Sequence, residues 1–131
     1  VLEGIAFSLR HALEPLHQAG VRPTTVILAG GLARSPLMRT IMADVLGRTV
    51  RPLETAEQSA LGAALLAARH AGFFPSLRDV CDAAVRYGPE VNGDPQRQDL
   101  YQYLYTSYRG LYPLLRDTSH ILKNPPREHS L

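Results

Sequence analysis

The run Val26-Ile27-Leu28-Ala29, followed by Gly30-Gly31 and then Ser35-Pro36, constrains the fold of this 131-residue chain more than any other segment. A continuous apolar run rich in β-branched residues suits a strand buried on both faces of a parallel sheet. Two glycines end it, and Ser35 and Pro36 open a helix. The serine hydroxyl can accept from a free backbone N–H, and proline at the first helical position gives up a donor that has no partner anyway. In open α/β sheets, ligands bind at the carboxyl ends of the strands. Glycine there lets a ligand approach the main chain, while free N–H groups and the positive helix end favour a phosphate. An ordinary tight strand-to-helix turn would use the same residues. Neither Gly-x-x-x-x-Gly-Lys-Ser/Thr nor Gly-x-Gly-x-x-Gly occurs, so two common phosphate-binding loops are excluded.

The flanking pattern fits an α/β chain. Leu2, Ile5, Ala6, Leu9, Leu13 and Leu16 recur at helical spacing over residues 2–19, with Gly20 after the end and Pro15 inside. Pro15 should kink or loosen that helix. The helix opened by Pro36 should run to about Leu46 and stop at Gly47, before a short second strand at 49–53. Thr55-Ala56-Glu57-Gln58 has the spacing of a capping box. It predicts a helix to about His70 whose Ala60, Gly62, Ala63, Ala64, Ala67 and Ala68 would allow a close neighbour. A shorter helix is expected from Ser76 to about Val85, then a loop, then a long helix from Asp94-Pro95 to about Arg116 bent by Pro113. Residues 119–131 read as a loose tail. Two strands are few for a free-standing sheet, and the chain begins at Val1 directly in a helical pattern, so the expectation is a piece of a longer protein.

Charge and cysteine content narrow the function classes. The basic residues are 14 against 12 acidic ones, and the arginines are scattered from Arg10 to Arg127 without a stripe. Nucleic acid is therefore a poor partner. No run of 18 apolar residues suggests a membrane span. A lone Cys81 can form no internal disulfide, which points towards the cytoplasm.

Four stretches stand together in order and spacing: Val1-Leu2-Glu3-Gly4-Ile5-Ala6-Phe7 with Arg10, Gly30-Gly31-Leu32-Ala33-Arg34-Ser35-Pro36-Leu37, Ala43-Asp44-Val45-Leu46-Gly47, and Ser59-Ala60-Leu61-Gly62-Ala63-Ala64. In combination they resemble the C-terminal domain of FGGY-family carbohydrate kinases over about residues 1–75. Tyr108-Arg109-Gly110-Leu111-Tyr112-Pro113 resembles the terminal helix of the xylulose kinases in that family. The resemblance implies part of a ribonuclease-H-like, actin-like ATPase domain with extra C-terminal helices, occupying residues 1–118. It implies ATP in a cleft against an N-terminal kinase domain, a sugar substrate, and Mg²⁺ held mainly outside these residues. Gly30 and Gly31 would contact the nucleotide through the backbone, Ser35 would lie near the adenine edge, and Leu32 and Met38 would wall the base. Leu32 departs from the third glycine of many xylulose kinases, which leaves gluconate as a second substrate. The catalytic base would lie upstream, so the chain alone is expected to be inactive.

Other residues read more plainly. Asp44 is expected to be structural, and Glu57 to favour a helix start through the dipole. The histidines at 11, 17, 70, 120 and 129 show no pair spaced for a metal. Cys81 is expected to be a buried small hydrophobe. Five tyrosines between 101 and 112 cannot all be buried on one helix face, so some should pack on the body and others could meet a second copy in a homodimer. A chaperone-type actin-like ATPase and a non-catalytic helical interaction domain are the alternative classes.

Overall fold

The computed structural model describes residues 1–55 and 57–123. Its elements are α1 (Leu2–Gln18), β1 (Thr25–Leu28), α2 (Gly31–Arg34), α3 (Pro36–Leu46), β2 (Thr49–Pro52), α4 (Gln58–His70), α5 (Leu77–Ala84) and α6 (Pro95–Lys123). β1 and β2 run parallel, with Thr25 opposite Thr49 and Leu28 opposite Pro52, and α2 and α3 form the crossover. The α/β expectation holds.

β2 has a partner on its other side as well. The loop expected after α5 lies antiparallel along it: Val50 and Val91 exchange backbone hydrogen bonds of 2.9 and 2.8 Å, and Gly88 N–H donates to the Pro52 carbonyl at 2.9 Å. Gly88, Pro89 and Gly93 hide this segment from any period-2 reading. β1 pairs with β2 alone among the described residues, and Ile27 on its open face is 45% exposed. The expectation of a strand buried on both faces therefore fails, because these layers cover one side of β1 only.

Helix boundaries follow local chemistry. Ser35 accepts the Met38 N–H on its Oγ at 3.2 Å, Pro36 takes the first position, and Gly47 ends α3 in the left-handed region. Ser76 caps α5 in the same way through the Asp79 N–H. The capping box expected at Thr55 does not form. Helix α4 starts later, at Gln58, and the Gln58 amide instead donates to the Thr55 carbonyl; Ala56 lies outside the described residues.

Pro15 and Pro113 both sit on exposed faces, and their helices continue to Gln18 and Lys123. A proline there removes one hydrogen bond without burying the freed carbonyl. Residues 119–123 are consequently helical where the sequence suggested a loose tail; 124–131 lie outside the described residues.

The core lies between α1, α3, α6 and the sheet, around Phe7, Met38, Met42, Val45 and Val50. Helix α4 buries none of its residues in this core and packs on α5. Among the described residues α5 is the element it packs against most extensively. On α5 the buried position is Val80, 1% exposed, whereas Cys81 is only half-buried, which corrects the expectation for Cys81. No helix among the described residues is long and apolar enough to cross a membrane.

The tyrosine-rich half of α6 lies on α1. Phe7 meets the rings of Tyr101, Tyr105 and Tyr108 at 6.0, 5.8 and 5.4 Å between centroids, while Tyr103 and Tyr112 stay exposed. The Tyr105 hydroxyl donates to Glu14 at 2.8 Å, and burial, then Glu14, push its pKa up from 10 to about 12. A phenol whose folded pKa exceeds its unfolded value stabilises the fold fully below pH 10, and that share is lost as pH rises towards about 12. The loss should not exceed about 2–3 kcal/mol. Urea denaturation at a series of alkaline pH values checks this: Tyr105→Phe should flatten the decline, and an unchanged slope would contradict the assignment.

Candidate functional site

The carboxyl ends of β1 and β2 open on the same side, and a cavity of about 210 Å³ lies there. One wall is the crossover, with Gly30, Ala33, Arg34 and Arg39. The other follows β2, with Pro52, Leu53, Glu54, Thr55 and Gln58, and Gly88 and Pro89 complete the lining. Larger hollows of about 400 Å³ beside Arg22, Arg48 and Asn92, and of about 680 Å³ along α6, lie away from these strand ends. Volume alone would favour the last, but strand polarity places chemistry at the first.

Gly30 has φ 70° and ψ −150°, a region that essentially only glycine occupies. A β-carbon added at Gly30 or Gly31 would meet no atom of the chain within 4 Å. The glycines are thus not needed to make room for the protein's own packing. They leave bare main chain facing open space, a cradle that a ligand could approach and a side chain would fill.

The five residues expected at the site divide in two. Gly30 lines the cavity and Gly31 starts α2 beside it. Leu32 is half-buried against the core. The Ser35 hydroxyl is committed to the Met38 N–H, and the Met38 side chain is 1% exposed within the core. Met38 therefore presents no surface to the cavity, which corrects its expected place as a wall of the base. Leu32 and Met38 pack with the core, and Ser35 caps α3.

Another expectation also needs correction. The four-residue helix α2 separates Gly31 from the capped start of α3, so the α3 N-terminus does not adjoin Gly30 directly.

Arg39, Glu54, Gln58 and Gly88 line the cavity and were not anticipated. The signal was available for two of them, because the rule about strand ends applies to β2 as much as to β1. Glu57, considered for the site, is exposed and does not line the cavity. Asp44 is structural as expected: it is 3% exposed and bonds Asp94 and Arg97 at the start of α6. Among the described residues no three of His, Cys, Asp and Glu converge on a metal position.

The description of the C-terminal domain of the FGGY family of carbohydrate kinases matches residues 1–71. A xylulose kinase of Bacillus subtilis is 32% identical over 95% of the chain, which spans 25% of that protein. The crystal structure of a xylulose kinase from Rhodospirillum rubrum superposes with a TM-score of 0.78 at 36% identity, over 91% of this chain and 24% of that one. A gluconate kinase from Lactobacillus acidophilus shares the fold with a TM-score of 0.79 at 23% identity, over 88% of this chain and 23% of that one. The chain thus spans about a quarter of the length of these relatives. Because the family's C-terminal domain matches residues 1–71 and a 32% identical relative aligns with 95% of the chain, the chain belongs to the FGGY family of carbohydrate kinases.

Proposed function

We propose that this chain forms the adenosine-holding side of a sugar kinase cleft, within a ribonuclease-H-like domain of the actin-like ATPase type. The reaction is transfer of the γ-phosphoryl group of ATP to a sugar hydroxyl, giving sugar phosphate, ADP and a proton, in the cytoplasm. Xylulose is the first substrate and gluconate the second, following the relatives. The observation that carries the reading is the bare Gly30-Gly31 backbone at the carboxyl ends of parallel strands.

The cavity's size agrees with half of a cleft. Ligand pockets usually run from roughly 300 to 1,000 Å³, whereas this one is about 210 Å³. A second lobe, the N-terminal kinase domain, would complete it. In this reading Gly30 and Gly31 admit the nucleoside against the main chain, while Leu32, Ser35 and Met38 fix the loop that carries them. Mg²⁺ would supply charge neutralisation at the phosphates, and its ligands would come from outside the described residues.

The test is sugar-dependent ADP release by the intact protein. Release with xylulose and not with other sugars is expected. Release with gluconate alone would transfer the assignment to the second substrate. Release without any sugar dependence would favour the chaperone-type ATPase and overturn the proposal. The isolated 131-residue chain should show no turnover, because positioning and charge stabilisation need both sides of the cleft.

A further inference from the structure

The amino ends of β1 and β2 border a second hollow, of about 400 Å³, at the opposite end of the sheet from the glycine cradle. The length of the strands, four residues each, separates the two by roughly 10 Å. Ligand pockets usually exceed roughly 300 Å³, so this hollow has room for a small molecule without a second lobe.

Its lining is one-sided in charge. Arg22 and Arg48 border it and no carboxylate does, and neither arginine enters an ion pair among the described residues. Arg48 donates from Nη1 to the neighbouring Gly47 carbonyl at 2.9 Å, which leaves the rest of its guanidinium for a ligand. Glu14 lines an adjoining hollow that Arg48 also borders, but its carboxylate accepts from Tyr105 and pairs with Arg109.

The neutral side chains add donors. Thr49 donates its hydroxyl to Asn92 Oδ1 at 2.8 Å, so the acceptor of that asparagine is engaged and its NH₂ group remains. Gln98 lies against the bare backbone of two glycines. A β-carbon at Gly47 would come within 3.5 Å of its Oε1, and one at Gly93 within 2.7 Å of its Nε2. An amide that borders the hollow thus holds the space a side chain would take.

Two fixed positive charges with an excess of N–H donors suit an anion rich in acceptors. A carboxylate brings a single charge, whereas a phosphate monoester brings about −1.5 to −2 and three acceptor oxygens, which matches two guanidiniums. We propose that this hollow binds a phosphate group, free or on a small organic carrier, with Arg22 and Arg48 holding the charge and Asn92 and Gln98 completing the hydrogen bonds. The site is separate from the nucleotide corner and does not depend on it.

The experiment is calorimetric titration of the intact protein at an ionic strength of about 0.15 M, where diffuse attraction is screened. The probes are inorganic phosphate, methyl phosphate and acetate, with ADP titrated beside them. Arg22→Gln and Arg48→Gln should each weaken phosphate about tenfold and leave ADP affinity and the unfolding temperature unchanged. Gln98→Glu puts a negative charge in nearly the same volume and should abolish phosphate binding. Should that variant fold poorly, Arg22→Gln, at an exposed position, provides the comparison.

Methyl phosphate bound as tightly as the free ion would show that the site accepts phosphate on a carrier, and weaker binding would make the free ion the ligand; both support the site. No phosphate binding, binding left intact in both arginine variants, or acetate bound as tightly as phosphate would overturn it. A matching loss of ADP affinity in the arginine variants would overturn it too, because the arginines would then serve the nucleotide.

Discussion

Replacing Asp44 with alanine is expected to lower the unfolding free energy by about 3–4 kcal/mol. Asp44 is 3% exposed at the end of α3, and both carboxylate oxygens are in use. Oδ1 accepts the Asp94 N–H at 2.7 Å and Oδ2 accepts the Arg97 Nε–H at 2.7 Å. Asp94 in turn accepts the Gln96 N–H at 3.0 Å, so this contact fixes the first turn of α6 against α3. Hydrogen bonds to a charged group contribute roughly 1.5–3 kcal/mol each. Arg97 is half exposed and can return to water, which offsets part of the loss. Asp44→Asn keeps an acceptor for Asp94 and should cost about 1–2 kcal/mol. Urea denaturation of the intact protein measures both. A loss below about 1 kcal/mol for the alanine variant would mean that α6 docks through its aromatic face alone.

That contact also shows where sequence reasoning reaches its limit. The apolar run at 26–29 and the Ser35-Pro36 start were legible because each depends on neighbours within a few residues: strand pattern, hydroxyl cap, fixed proline φ. The glycine pair that ends β1 was legible for the same reason. Asp44 could be recognised as structural, but its partners are 50 and 53 positions away, and no local period encodes them. The antiparallel partner of β2 was missed because Gly88, Pro89 and Gly93 read as a loop. At Gly93 a β-carbon would come within 2.6 Å of the Ala43 carbonyl oxygen, a close approach that depends on α3 and is invisible locally. Met38 was misplaced for a related reason. The resemblance implied it as a wall of the base, but the face of α3 that turns inward depends on α2, the helical turn that carries the chain from Gly31 to Ser35. Arg39 was missed because the meeting of α3 with the end of β2 is set by the parallel register, whereas Glu54 follows a strand end to which the same local rule applies.

Gly30→Val should weaken nucleotide binding by the intact protein at least about a hundredfold, the equivalent of about 2.7 kcal/mol. Two causes act together, and they can be separated. Gly30 occupies φ 70°, ψ −150°, where a β-branched residue is strongly disfavoured, so the variant should also lose about 1–3 kcal/mol of stability. The added side chain would in addition stand in the open space beside the backbone, where the ligand is proposed to lie. Gly31→Ala isolates the second cause. Gly31 does not have a positive φ and its β-carbon would meet no atom of the chain within 4 Å, so alanine should fold with stability changed by no more than about 0.5 kcal/mol. If the main chain at this corner is the nucleoside's seat, Gly31→Ala still weakens ADP binding measurably while its unfolding curve overlays that of the unmodified protein. Calorimetric titration beside thermal unfolding separates the outcomes. Lost affinity in Gly30→Val with full affinity in Gly31→Ala would make the glycines a requirement of backbone conformation only. Full affinity in both would remove the nucleotide from this corner altogether.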